Sequence, residues 1–186
     1  MRCKREGPPK VSKLVQTARA TPARCLSSFC STPKVVRGVE NRSTISEAGF
    51  RLSCKCGATT HNILGHYWTQ DPQPNEKLFV APVSLRCQSC SKTNQLFSPE
   101  SDGYNGEIES STGIVGTGEA QTYMCSKCAS LEFECAVSLL YTIVDDELND
   151  MEEFSERPQD FFTSFALDAE CKNCGETVSV TSYECA

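Results

Sequence analysis

From Gly49 onward the chain is built from short stretches in which apolar and polar residues alternate. "FRLSC" runs into Cys54, "HNILGHYW" follows it, "KLFVAPVSLRC" runs into Cys87, and "KTNQLF" comes after. Further on, "LEFECAVSLLYTIV" (131–144) alternates Leu131, Phe133, Cys135 and Val137, a period of two that predicts a strand with one buried face. "DFFTSFALDAEC" (160–171) and "ETVSVTSYEC" continue in the same way. One segment breaks the pattern. "DDELNDMEEFSE" (145–156) spaces Leu148, Met151 and Phe154 by three, offers Asp145 or Asp146 as a cap, and is followed by Pro158; it predicts a short acidic helix. The longest apolar run, "AVSLLYTIV" (136–144), is too short to cross a bilayer and predicts a buried strand. The reading is mainly β with small α content and no contact with a membrane.

Two regions lack this alternation. Residues 98–121, "SPESDGYNGEIESSTGIVGTGEAQ", are rich in Gly, Ser and Glu and contain an Asn-Gly turn signal, so they predict a linker or loose hairpin. They separate a first unit, 45–97, from a second, 122–186, which carries the acidic helix as an insertion. Each unit follows the same plan: strand, Cys pair, strand or hairpin, excursion, strand, Cys pair, strand. Such a plan arises by internal duplication or by convergence on one supersecondary unit. Residues 1–44 show no sustained periodicity and predict a disordered tail.

Charge sharpens that division. The first 44 residues hold ten Lys/Arg against Glu6 and Glu40, a surplus of eight positive charges; the remainder holds eight basic and 22 acidic residues, a net −14. The basic tail has four readings: an organellar transit peptide, an arm on nucleic-acid phosphates, a tether to the acidic body, or an unstructured extension. Phe29 is its only aromatic residue, which weakens the nucleic-acid reading.

Cysteine is abundant in this chain. There are 13, and most are clustered as Cys54/Cys56, Cys87/Cys90, Cys125/Cys128 and Cys171/Cys174. Disulfide frameworks disperse their cysteines and need an oxidising compartment. No apolar signal region follows Met1, so the expectation is a cytoplasmic protein with reduced thiols, or an organellar one if the tail is a transit peptide. A C-x-x-C loop puts two thiolates on one turn, within reach of one Zn²⁺ at about 2.3 Å. Cys125 and Cys128, 42 intervening residues, then Cys171 and Cys174 make one such set, and Gly175 supplies a left-handed position after it. Cys54 and Cys56, 30 intervening residues, then Cys87 and Cys90 make the other. The C-x-C pair has a tighter bite, and His61 or His66 could replace one of its thiolates. Thioredoxin-type redox pairs open a helix within a βαβ unit, unlike these strand turns. Of Zn and Fe, both of which accept four sulfurs, zinc suits loops holding Lys, Ser and Gln. Cys135 alternates with Phe133 and Val137 and is expected to be buried.

These paired knuckles and their flanking strands resemble the broad zinc-ribbon class. The resemblance implies two structural four-cysteine Zn²⁺ sites in two zinc-ribbon-like β units in tandem. Catalysis finds little support: H-E-x-x-H is absent, Cys174-Gly175-Glu176 matches only half of a deaminase pattern, and "GIVGTGEA" lacks the ending of a phosphate loop. The expected function is non-enzymatic: a zinc-organised module that binds another protein, one with a basic surface given the acidic body. Alternatives are a nucleic-acid-associated factor using the tail and a thiol-based redox or metal sensor.

Overall fold

The computed structural model describes residues 10–34, 44–70, 73–103, 114–141 and 156–185. It is mainly β. In chain order the elements are strand β1 (Lys10–Val11), helix α1 (Lys13–Ala20), β2 (Phe29–Lys34), β3 (Thr44–Ile45), β4 (Glu47–Cys54), β5 (Thr60–Gln70), β6 (Gln73–Cys87), β7 (Thr93–Phe97), β8 (Gln121–Thr122), β9 (Phe133–Leu140), β10 (Ser164–Cys171) and β11 (Thr177–Glu184). Short 3-10 turns occupy Arg24–Leu26 and Pro158–Asp160. The expected acidic helix lies almost wholly outside the described residues.

Nine strands form one curled antiparallel sheet whose main path is β11-β10-β9-β5-β6-β7. The first and second halves each keep their strand-and-knuckle plan, but they share this sheet instead of standing in tandem. Strand β9 makes the join. One of its edges pairs with β10. Its other edge takes β4 along Glu47–Arg51 and then β5 at Thr60 and His61. Strand β4 therefore peels off β9 after Arg51, forms the first knuckle, and returns as β5. The alternation read in the sequence supplies the core: Phe133, Cys135, Val137 and Leu139 point inward from β9, as do Ala48, Phe50 and Leu52 from β4 and Phe165 and Leu167 from β10. The Phe97 and Phe165 rings stack with centroids 4.1 Å apart. Burial of such side chains stabilises by about 1.5–3 kcal/mol each.

The sheet curls far enough for its far strands to touch. The Tyr183 hydroxyl on β11 accepts from the Ala81 amide on β6 at 2.7 Å and donates to the Ile114 carbonyl at 2.8 Å. The region expected to be a linker contributes to this closure, because the Gly116 amide donates to the Ala81 carbonyl at 2.7 Å.

The expected disorder of the basic tail is corrected for residues 10–34; the other tail residues up to 43 lie outside the described ones. Ser12 caps α1 by accepting from the Val15 amide at 3.2 Å. Leu14, Val15 and Ala18 bury one side of that helix, and Ala23, Leu26 and Phe29 continue the buried surface. Strand β2 then pairs with β4 from Phe29 opposite Cys54 to Lys34 opposite Gly49. Pro33 is tolerated because β2 is an edge strand. Asp160 fastens the segment from the other end of the chain, accepting from the Arg24 amide at 2.8 Å and pairing with the Arg24 and Arg157 guanidinium groups at 3.0 and 2.7 Å. Sparse apolar residues are enough here because they cover an existing sheet rather than forming a core alone.

Candidate metal centres

The eight clustered cysteines assemble into two groups, Cys54/Cys56/Cys87/Cys90 and Cys125/Cys128/Cys171/Cys174, and in each the sulfurs lie within 4.8 Å of one another. Among their contacts are Cys54–Cys90 and Cys56–Cys87, both 3.6 Å, and Cys125–Cys174 at 3.7 Å and Cys128–Cys171 at 3.5 Å. A disulfide would bring two sulfurs to about 2.05 Å. Four sulfurs about 2.3 Å from a central ion sit about 3.8 Å apart along the edges of a tetrahedron. The contacts of 3.5–3.7 Å are far too long for disulfides and close to that tetrahedral edge, and the clustered cysteines are free thiols.

The local structure of each knuckle explains the fit. Its first cysteine is buried (Cys54 3%, Cys87 2%, Cys125 3% and Cys171 1% exposed) while its second stands at the rim. The first cysteine's amide and carbonyl close a tight loop: Cys87 bonds Lys92 and Ser91, Cys125 bonds Ser130 and Ala129, and Cys171 bonds Glu176 and Gly175, all at 2.8–3.0 Å. The residue after each second cysteine is left-handed, with φ of +93° at Gly57, +59° at Ser91, +58° at Ala129 and +71° at Gly175. The C-x-C loop thus ends as the others do, one residue sooner, with Gly57 donating to the Cys54 carbonyl at 2.8 Å. Ser91 and Ala129 went unnoticed in the sequence because neither is a residue type that favours this backbone; their position after a second cysteine was the available signal. Holding them there costs about 1–2 kcal/mol each.

Without a cation the four thiols of a group cannot all ionise, since like charges crowd together. The backbone amide of Cys90 leads in lowering the Cys87 thiol to about 7. Burial pushes the Cys171 thiol up, but the amides of Cys174 and Asn173 outweigh it and leave it lowered to about 6. Their partners pay the opposite way. The Cys56 amide pulls Cys54 down, yet burial and the neighbouring thiols raise it to about 12. Cys174 likewise is favoured by the Glu176 amide but is driven to about 12 by burial and its neighbours. Each group is arranged for more negative charge than it can hold alone, which a divalent cation would relieve.

Neither histidine joins a group. His61 is buried, lies opposite Cys87 and Phe133 in the ladder, and turns its ring edge-on to Phe29. Neither of its ring nitrogens has a hydrogen-bond partner among the described residues, and burial holds its pKa below the usual imidazole value. His66 sits opposite Val80 and against Gly116. The sheet, not a knuckle, places both. Cys135 is buried in the core as its alternation predicts. A cleft of about 440 Å³ lies away from the cysteine groups between Arg24, Asp102, Arg157 and Asp160. Cys25 lines it, but burial, then Asp102 and Asp160, push that thiol far above the range of a nucleophile.

Comparison with protein families, with curated proteins and with solved structures returned no match. The site and fold therefore define the protein's class by themselves: a mainly β chain with two four-cysteine groups able to hold metal ions. No helix among the described residues is long and apolar enough to cross a membrane.

Proposed function

We propose that the chain is a non-enzymatic zinc protein whose two tetrathiolate sites fix one end of a β-sheet used to bind another protein. The observation that supports this most is the gathering of four sulfurs within 4.8 Å of one another in each group, with two contacts of 3.5–3.7 Å in each. Four cysteines fill a tetrahedral zinc ion and leave no position for water or substrate, which is the arrangement of structural rather than catalytic zinc. The partner surface is proposed to carry basic groups, because the residues after the first 44 have a net charge of −14, and the five basic residues of 10–34 that fold onto them offset only part of it. Exposed Met124 and Leu131, which flank the Cys125/Cys128 knuckle at 51% and 41% exposure, offer apolar contacts beside the charge.

Residues 10–34 are folded onto the sheet rather than forming a free arm, and Arg24 among them pairs with Asp160, which favours the protein-binding reading over a nucleic-acid factor using a loose tail. A pull-down of the zinc-loaded full chain against basic and acidic peptide arrays, with single-stranded and duplex DNA and RNA alongside, tests the reading. Retention of basic peptides that weakens with salt supports it. Retention of nucleic acid with no peptide binding overturns it.

A further inference from the structure

The two metal centres lie at the same end of the sheet and on one ladder row. Cys87 on β6 faces His61 on β5, His61 faces Phe133 on β9, and Phe133 faces Cys171 on β10. Three strand spacings of about 4.8 Å put these two ligands on the order of 14 Å apart. Yet β5 and β9 pair over only two residues, Thr60 with Glu134 and His61 with Phe133. Strand β4 holds the rest of that edge of β9 from Glu47 to Arg51, so this two-residue seam is the stretch of the junction nearest the knuckles, where the first half's meet the second half's.

Two side chains bridge this seam. Asn62 is 6% exposed and uses both ends of its amide. Its Nδ2 donates to the Leu131 carbonyl at 2.8 Å, in the strand approach after the Cys125/Cys128 knuckle. Its Oδ1 accepts from Nε and Nη2 of Arg86, the residue before Cys87, at 3.4 and 3.3 Å. Glu134 makes the second bridge. Its Oε1 accepts from Nζ of Lys172, the residue after Cys171, at 2.8 Å, and from Oγ1 of Thr59, in the turn after Cys56, at 3.3 Å. Backbone bonds anchor both ends: the Gln88 amide donates to the Thr60 carbonyl and the Lys172 amide to the Glu132 carbonyl. Each bridge joins a residue beside a ligand of one group to a loop of the other.

We infer that Asn62 and Glu134 are positioning residues that couple the two centres, so that filling either one orders the seam and raises the metal affinity of the other. This rests on the zinc reading above. The element with two states is the seam with its knuckles, ordered when metal holds the loops and loosened when it does not. Buried Asn62 carries most of the coupling, because a partly exposed ion pair such as Glu134–Lys172 is worth little by itself. Coupling between sites is typically about 5–150-fold in affinity and is reciprocal; one buried amide and one exposed bridge place this case near tenfold.

The test uses the full chain. Cys56→Ser with Cys90→Ser removes the two exposed ligands of the first group and leaves the buried Cys54 and Cys87 in the core. Zinc affinity of the second group is then measured by competition with a chromophoric chelator. The expected result is a loss of about tenfold. The reciprocal pair, Cys128→Ser with Cys174→Ser, lowers the first group's affinity by the same factor. Placed on Asn62→Ala with Glu134→Ala, the same cysteine changes lower affinity by less than about threefold. Glu134→Ala alone, at a partly exposed site, gives an intermediate loss and guards against misfolding of the Asn62 variant. A second group unchanged within twofold after disabling the first overturns the coupling while leaving two zinc sites standing. A tenfold loss that persists without Asn62 and Glu134 overturns their role. A wild-type chain that binds no zinc overturns both this inference and the reading beneath it.

Discussion

Replacing Tyr183 with Phe tests whether the sheet closes as described. The ring stays and the change removes only one oxygen, so the packing of Tyr183 against Phe97, with centroids 5.4 Å apart, is preserved. What is lost is the hydroxyl that accepts from the Ala81 amide at 2.7 Å and donates to the Ile114 carbonyl at 2.8 Å. Ala81 is fully buried, so its amide loses a partner that water cannot readily replace; an orphaned buried donor costs about 1–3 kcal/mol. The Ile114 carbonyl belongs to an exposed residue and can turn to solvent, adding little. The expected cost is about 2 kcal/mol, which for a chain of this size lowers the melting temperature by about 4–8 °C. Thermal unfolding of zinc-loaded protein, followed by circular dichroism, measures it. A loss below about 0.5 kcal/mol would show that β6 and β11 are not pinned through this hydroxyl, and the closed curl of the sheet would have to be abandoned.

Three further expectations concern the cysteines and histidines. Cys171→Ser should reduce bound zinc from two ions to one and lower the melting temperature far more than Cys135→Ser, because a structural zinc supplies on the order of 10–16 kcal/mol; equal effects on metal content would contradict the ligand assignment. Zinc affinity should rise with pH through neutrality by at least about tenfold per unit at each site, since Cys54 and Cys174, both near 12 without metal, must lose a proton to bind; a flat chelator-competition profile from pH 6 to 8 would contradict this. His61→Leu should retain both ions and change stability by no more than about 1 kcal/mol, as it replaces an unpartnered buried imidazole with an apolar side chain; loss of an ion would revive the histidine as a ligand.

Much of the site was legible in the sequence because metal chemistry imposes local spacing. Two thiolates on one turn must be two or three residues apart, so the knuckles stand out whatever the fold around them. The strands were legible where one face is buried: Phe133, Cys135, Val137 and Leu139 show the period of two because their neighbours face solvent. Long-range pairing left no such trace. Nothing in Arg51 or Thr60 announces that β4 leaves β9 at one and β5 takes its place at the other. Residues 10–34 were misread for a related reason. An eight-residue helix with Leu14, Val15 and Ala18 on one face is too short to stand alone, and its order comes from the sheet it covers. Asn62 was equally silent, since its importance lies in Arg86 and Leu131 meeting across a seam that only the fold creates.

The measurement that bears most directly on all of this is the metal content of the full chain, purified without added metal and analysed by elemental mass spectrometry together with a thiol count. Two zinc ions per chain, removed by chelation with collapse of the cooperative thermal transition, is the expected result. Metal-free protein that keeps the same transition, or whose clustered cysteines are joined as disulfides, would contradict it.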